Sequence, residues 1–308
     1  MNQTIFEYDF IKYKNVVYRV FGQYHPKDRI QLLIRYTLID NEWKKTAKFG
    51  GELNKPESIN LYNIDKLYYP EYKTSLGLLD VSKNYEVYSS LECFNKKKYV
   101  HSKTIIYELN EYLESTGLDF KLGLSGSSLL DINNKSSDVD LIVYSEHYKL
   151  IANNIMIFMS KKNATLPSSS KIDQFLNLSG ISFKDFKKRN SFSFQIEDKK
   201  IDIHYCFNSN PIMYHTKRNY SIIKNDVQLT CQIIDSSNRF YYPGMLDIMT
   251  ADINHNNNNE YKLILMDHPM HFLSDGDIID LNADILYDNI NSITVLTSNY
   301  ISKIKARY

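Results

Sequence analysis

Two aspartates interrupt an apolar run in "SDVDLIVY", and an isolated aspartate stands between isoleucines in "KIDIHY". A β-strand sends alternate side chains to opposite faces, so Asp138 and Asp140 share one face while Val139 and Leu141 take the other. Two carboxylates about 7 Å apart on one face repel each other unless a cation lies between them. All-oxygen clusters of this kind suit Mg²⁺ or Mn²⁺ rather than zinc, and Asp202 is a third carboxylate in a strand pattern. Gly126 and Ser127 precede Asp138 by a short interval, with eleven positions from Ser127 to Asp138. They fall where a strand gives way to a turn or short helix. Backbone N–H groups are free there to face an anion, and glycine permits close approach. The hydroxyls of Ser127 and Ser128 are further donors to phosphate oxygens. A phosphate cradle beside a three-carboxylate metal site is the equipment of metal-assisted phosphoryl or nucleotidyl transfer.

The elements that must hold these residues read as a central α+β segment. "SKTIIYELNEYLESTG" has helical period with a serine at its start and a glycine at its end. "FKLGLSG" is a short strand, "SSLLDI" a turn or short helix, "VDLIVY" a strand and "EHYKLIANNIMIFMSKK" a second long helix. After a polar stretch, "SFSFQIE" and "KIDIHYCF" form a hairpin. The alternation predicts a small mixed sheet with helices on one face. Upstream, "NVVYRVFGQY", "RIQLLIRYTLI" and "EWKKTAKF" read as strands and "SINLYNIDKLYYPEY" as a helix ending before a proline. Downstream, "DVQLTCQIIDS", "MLDIMTADI", "YKLILMDH", "DIIDLNADILYD" and "SITVLTSNY" read as five strands, the pattern of a small barrel or sandwich. The expected organisation is an N-terminal α+β domain over residues 1–100, a central domain over 101–208, and a C-terminal β-rich, barrel-like domain over 209–308.

The order and spacing of "SGSS", "SDVDLIVY" and "KIDIHY" resemble the nucleotidyltransferase superfamily that includes DNA polymerase β. The resemblance covers about residues 102–208. "YDFIKYKNVVYRVFGQYHPKDRIQLLIRY" further upstream looks like the leading segment of a group of archaeal predicted nucleotidyltransferases of unknown substrate. The resemblance implies a polymerase β-like core and an enzyme that moves an NMP from an NTP to a hydroxyl of an acceptor. It implies that Gly126, Ser127 and Ser128 hold the triphosphate. Asp138, Asp140 and Asp202 would be the catalytic residues and the ligands of two Mg²⁺ (or Mn²⁺) ions. RNA is the favoured acceptor, with a protein side chain or a small molecule as the alternative. A catalytically silent nucleotide- or RNA-binding module that keeps the fold is the other reading. One departure from the pattern is that "SSLLDINN" carries no cation before Lys135, which leaves Lys187, Lys188 and Arg189 as candidates to meet phosphate charge.

The rest of the sequence narrows the setting. Over 308 residues, 43% hydrophobic and 24% charged content is that of an ordinary globular chain, and a net charge of +1 offers no bulk attraction to nucleic acid or membrane. Cys93, Cys206 and Cys231 lie far apart, without disulfide or zinc spacing. The N-terminus lacks the apolar core of a secretory signal, and no stretch is long and apolar enough for a membrane span. A cytoplasmic protein is therefore expected, with no membrane and no obligate protein partner called for. His204 shares the face of Asp202. A histidine hydrogen-bonded within the sheet is favoured over one that touches substrate.

Overall fold

The computed structural model describes residues 4–22, 24–40, 42–45, 64–72, 74–96, 103–132, 137–168, 170–206, 213–215, 220–240, 244–250, 259–265, 271–288 and 292–306. The chain forms two compact units. The first takes residues 1–69, 74–165 and 192–217, and the second takes 70–73, 166–191 and 218–308.

The first unit opens with β1 (Phe10–Tyr13), β2 (Val16–Val20), β3 (Tyr24–Pro26), β4 (Arg29–Ile39), β5 (Glu42–Lys45), β6 (Asp65–Tyr69), β7 (Thr74–Asp80) and β8 (Glu86–Tyr88). Seven of these make one sheet in the order β6-β7-β4-β2-β1-β8, with β5 paired to β4. Residues 65–69 are thus an edge strand where the pattern of "LYNIDKLYYPEY" predicts helix. Five antiparallel pairings with β7, from Asp65↔Leu78 to Tyr69↔Thr74, override the local preference. One face of this sheet buries Ile11, Val16, Tyr18, Ile30 and Leu32.

The chain continues through α1 (Ser90–Asn95), α2 (Lys103–Glu114), β9 (Lys121–Leu124), a 3-10 turn over Gly126–Leu130, β10 (Val139–Tyr144) and α3 (Tyr148–Lys161). Then come α4 (Ser170–Ser179), α5 (Phe183–Lys187), β11 (Ser193–Ile196), β12 (Lys199–Cys206) and β13 (Met213–His215). The second sheet has the order β11-β12-β10-β9, and its inner pair, β10 with β12, is parallel while the outer pairs are antiparallel. It is the small mixed sheet that the alternation predicts. Leu141, Val143, Ile201, Ile203 and Tyr205 are buried, and this apolar side fixes the register, because a slip of one residue would turn the aspartates into the core.

The two sheets are tied together by buried polar contacts. Tyr144 donates its hydroxyl to the Glu7 carbonyl at 2.9 Å, Ser125 donates to the Tyr8 carbonyl at 3.1 Å, and Asp9 accepts from the Ser90 N–H and hydroxyl. Phe10, Val17 and Tyr36 pack with Leu129 of the 3-10 turn. The N-terminal sheet and the central one therefore share a single unit, rather than the first forming a separate domain ending near residue 100. β13 returns to pair in parallel with β3.

The second unit is built on β14 (Tyr220–Asp235), β15 (Gly244–Thr250), β16 (Asn259–Leu265), β17 (Ile278–Asp288) and β18 (Ile293–Lys305), which close into a barrel in the order β14-β15-β16-β18-β17. All five predicted strands are present, and closure leaves no free sheet edge. The sequence pattern leaves residues 163–191 as a polar stretch within the central segment. They form α4 and α5, and from residue 166 they belong with the barrel. Phe272 meets Phe175 and Phe186 edge to face, and those two rings are tilted against each other, with centroids 4.7–5.6 Å apart. Arg189 meets the fully buried Asp277 through two hydrogen bonds of 2.6 and 3.2 Å. No helix among the described residues is long and apolar enough to cross a membrane.

Two stability experiments follow from this packing. Arg189→Met leaves the Asp277 carboxylate buried without its cation, a loss expected to cost about 3–5 kcal/mol in urea unfolding. In the first unit, burial drives the Glu7 carboxyl up from 4.5 to about 8 despite the opposing charge of Arg19 and hydrogen bonds from Gly22 and Cys206. The folded protein thus keeps a proton on Glu7 that the unfolded chain releases, so stability is full below about pH 4.5 and falls as pH rises toward 8, by at most about 1.4 kcal/mol per pH unit. Asp9, raised by burial from 3.8 to about 6, adds the same sign at lower pH. Urea midpoints of Glu7→Gln should lose their dependence between pH 6 and 8, whereas wild-type midpoints decline.

Candidate active site

The parallel pairing of β10 with β12 sets Asp140 directly beside Asp202. Both point to the same half-exposed face, since their neighbours Val139, Leu141, Ile201 and Ile203 turn inward. Two carboxylates on adjacent strands stand about 5 Å apart at the backbone and repel. The groups around them supply the compensation. Lys200, two residues before Asp202 on the same face, places Nζ 2.5 Å from Asp202 Oδ2 and 3.2 Å from Asp138 Oδ2. Ser193, opposite Asp202 on β11, donates to its Oδ1 at 2.5 Å.

His204 completes the row. Its Nε2 lies 3.5 Å from Asp140 Oδ1 and its Nδ1 lies 3.4 Å from the Tyr8 hydroxyl. An ionised carboxylate only accepts, so in the neutral ring Nε2 carries the proton and Nδ1 accepts from Tyr8. Tyr8 is stacked on the ring at a centroid distance of 4.9 Å and lies beneath the Arg19 guanidinium. Burial alone would raise the Asp140 carboxyl. The hydrogen bond and charge of His204, with the charges of Arg35 and Lys200, outweigh it and hold Asp140 below its ordinary value. Burial opposes the charge of Lys200 too, but Asp202 and Asp138 prevail and raise its pKa.

Gly126 is fixed by the same carboxylate. It sits at φ +66°, and a Cβ there would collide with Asp140 Oδ2 and lie 2.9 Å from Cγ. Glycine lets the turn close over Asp140 without strain or displacement of that side chain. The Ser125 N–H donates to the Asp140 carbonyl at 2.9 Å, which locks the turn to β10.

The structure therefore brings Asp140, Asp202 and Gly126 together, with Asp138 joined through Lys200. Asp138 is half-exposed and lies just before β10. Ser127 is half-buried on the turn, whereas Ser128 is buried and faces away from solvent. Among the described residues, no group of three or more His, Cys, Asp and Glu is gathered closely enough to hold a metal ion. The donor type, three carboxylates, is that of Mg²⁺ or Mn²⁺ sites rather than zinc sites. Of the candidate phosphate cations Lys187, Lys188 and Arg189, Arg189 is engaged with the buried Asp277 and Lys188 pairs with Asp185. The cation at the site is Lys200, legible from the two-residue period of "KKIDIHY", which sets Lys200, Asp202 and His204 on one face. Ser193, Arg35 and Tyr8 have no such local signal.

No protein-family model matches this chain, and comparison with curated proteins and with solved structures finds no match.

Gly126→Ala tests how closely the turn and Asp140 are coupled. It should destabilise the protein by about 1–3 kcal/mol, from strain at positive φ plus the collision. Gly117→Ala is the control, with φ +71° and nothing within 4 Å, so it carries the strain alone. Urea unfolding of both variants separates the two contributions, and Gly126→Ala is expected to show the larger loss.

Proposed function

We propose that the first unit is a nucleotidyltransferase that moves an NMP from an NTP to an acceptor hydroxyl. The observation that carries this reading is the in-register pair Asp140 and Asp202 beneath a turn whose Gly126, at positive φ, has Asp140 where a Cβ would stand. The mixed sheet, with the turn leading into the Asp138–Asp140 strand and Asp202 on the parallel neighbour, agrees with the motif order that resembles the polymerase β-like superfamily. Asp138, Asp140 and Asp202 would hold Mg²⁺ or Mn²⁺, which when bound polarises the phosphate and lowers the pKa of the attacking hydroxyl. The backbone at Gly126 and the Ser127 hydroxyl donate to phosphate oxygens. Ser193 and His204 hold the carboxylates in orientation. The acceptor oxygen bonds to the α-phosphorus as the bond to the pyrophosphate oxygen breaks, and the hydroxyl proton passes to solvent.

RNA is the acceptor we favour. The barrel of the second unit closes five strands with one parallel pair, β16 with β18, among antiparallel ones, an arrangement shared by small oligonucleotide-binding barrels. A catalytically silent binding module is the second reading, and the Lys200 ammonium already between two of the carboxylates favours it.

The test is transfer of label from each of the four α-³²P-NTPs, with Mg²⁺ or Mn²⁺ and with total RNA plus protein extract as acceptors. Wild type is run beside an Asp138→Asn, Asp140→Asn double variant. Label in an RNA band with wild type alone is the expected result. Label in a protein band alone would keep the enzyme and replace the acceptor. No label, together with nucleotide binding that survives the double substitution, would sink the enzyme reading.

A further inference from the structure

Lys200 occupies the place where a divalent cation on Asp138 and Asp202 would have to stand. Its ammonium touches one oxygen of each carboxylate. A metal ion bound through those oxygens, at about 2.0–2.1 Å for Mg²⁺, would stand in close repulsive contact with the ammonium, so the two cations compete for the same carboxylates. The second oxygen of Asp202 is held independently by Ser193, and Asp140 is held by His204. Asp202 and Asp140 therefore stay oriented when the lysine leaves. Both ion pairs are partly solvated, with side-chain exposures of 28% for Lys200, 50% for Asp138 and 24% for Asp202, and pairs in such settings are weak. Lysine is a compact charge on a flexible four-carbon stem, so one set of rotamer changes carries the ammonium away from the carboxylates without moving β12.

We propose that Lys200 is a resident counter-ion that competes with the divalent cation and, once displaced, serves as the phosphate-binding cation missing after Gly126 and Ser127. Without metal it neutralises the acidic face and holds the sheet pairing against carboxylate repulsion. With metal and nucleotide present, its ammonium turns to the triphosphate. The run from Ser127 to Asn134 carries no basic residue, so no other cation follows the turn closely in sequence. The proposal rests on the reading of Asp138, Asp140 and Asp202 as metal ligands, and the experiment separates the two.

Mn²⁺ binding is measured by the loss of the free-ion EPR signal for wild type, Lys200→Met, Lys200→Arg and the Asp138→Asn, Asp202→Asn double variant. Measurements are made with and without a non-hydrolysable α,β-methylene NTP. Removal of a competing charge in contact with the site should tighten Mn²⁺ binding by Lys200→Met about tenfold or more in the absence of nucleotide. Lys200→Arg, which keeps the charge, should stay within a few-fold of wild type. Nucleotide affinity in the presence of saturating Mn²⁺ should fall in Lys200→Met. Equal Mn²⁺ affinity in wild type and Lys200→Met, with binding lost in the double variant, would overturn the counter-ion role and leave the metal site standing. Tighter Mn²⁺ binding with unchanged nucleotide affinity would overturn the handover to phosphate. Absence of Mn²⁺ binding in wild type and Lys200→Met alike would remove both the inference and the metal reading beneath it.

Discussion

Carboxylate repulsion across the β10–β12 pair is the constraint around which the first unit is organised. Parallel pairing at Asp140↔Asp202 places like charges on adjacent strands, an arrangement that destabilises a sheet unless something offsets it. The opposite face decides that the arrangement persists. Ile201, Ile203 and Leu141 are nearly inaccessible, and burial of side chains of that size contributes about 1.5–3 kcal/mol each. That is more than two partly solvated charges cost, so hydrophobic register wins and the polar face must adapt. It adapts with Lys200 between Asp138 and Asp202, Ser193 on Asp202 and His204 on Asp140.

The N-terminal sheet belongs to the same solution. Without it, the Gly126 turn would be a surface loop with Leu129 exposed. Phe10, Val17 and Tyr36 cover that leucine, and Ser125 is tied to the Tyr8 carbonyl. Tyr8 also reaches His204, and Arg35 on β4 lowers the Asp140 carboxyl. The same strands supply scaffold and side chains at the site, so this sheet orders both the backbone of the Gly126 turn and the charge of a carboxylate. Buried Glu7 and Asp9 show what the joint costs: both carboxyls are raised by desolvation, and the fold holds on Glu7 a proton that the unfolded chain would release at neutral pH.

Legibility in the sequence followed the range of the interaction. The aspartates amid apolar strand residues, the glycine before the turn and the five barrel strands all carry a local period or a residue type that admits few conformations. Their elements stand where the pattern places them. The strand at 65–69 does not, because "KLYY" suits a helix face and an edge strand alike, and only pairing with β7 decides between them. Residues 166–191 were illegible for the same reason. Their partners, Phe272 and Asp277, lie 86 and 88 residues beyond Phe186 and Arg189, and no spacing within "SFKDFKKRN" announces them. That distant carboxylate also turned Arg189 from an apparent phosphate ligand into half of a buried ion pair. Lys200 was available to a period-two reading, which already paired Asp202 with His204.

The charge balance at the site also constrains how a nucleotide could reach it. Asp138, Asp140 and Asp202 together carry three negative charges, and Lys200 returns one. Arg35 lowers the Asp140 carboxyl through its charge, and Asp140 remains ionised on a half-buried face. A bare triphosphate approaching the Gly126 turn would meet this excess in a setting where solvent screens it only partly. Favourable approach requires the phosphates to bring positive charge with them, or the carboxylates to have taken it up beforehand. Under the proposed reading, either route competes with the Lys200 ammonium for Asp138 and Asp202.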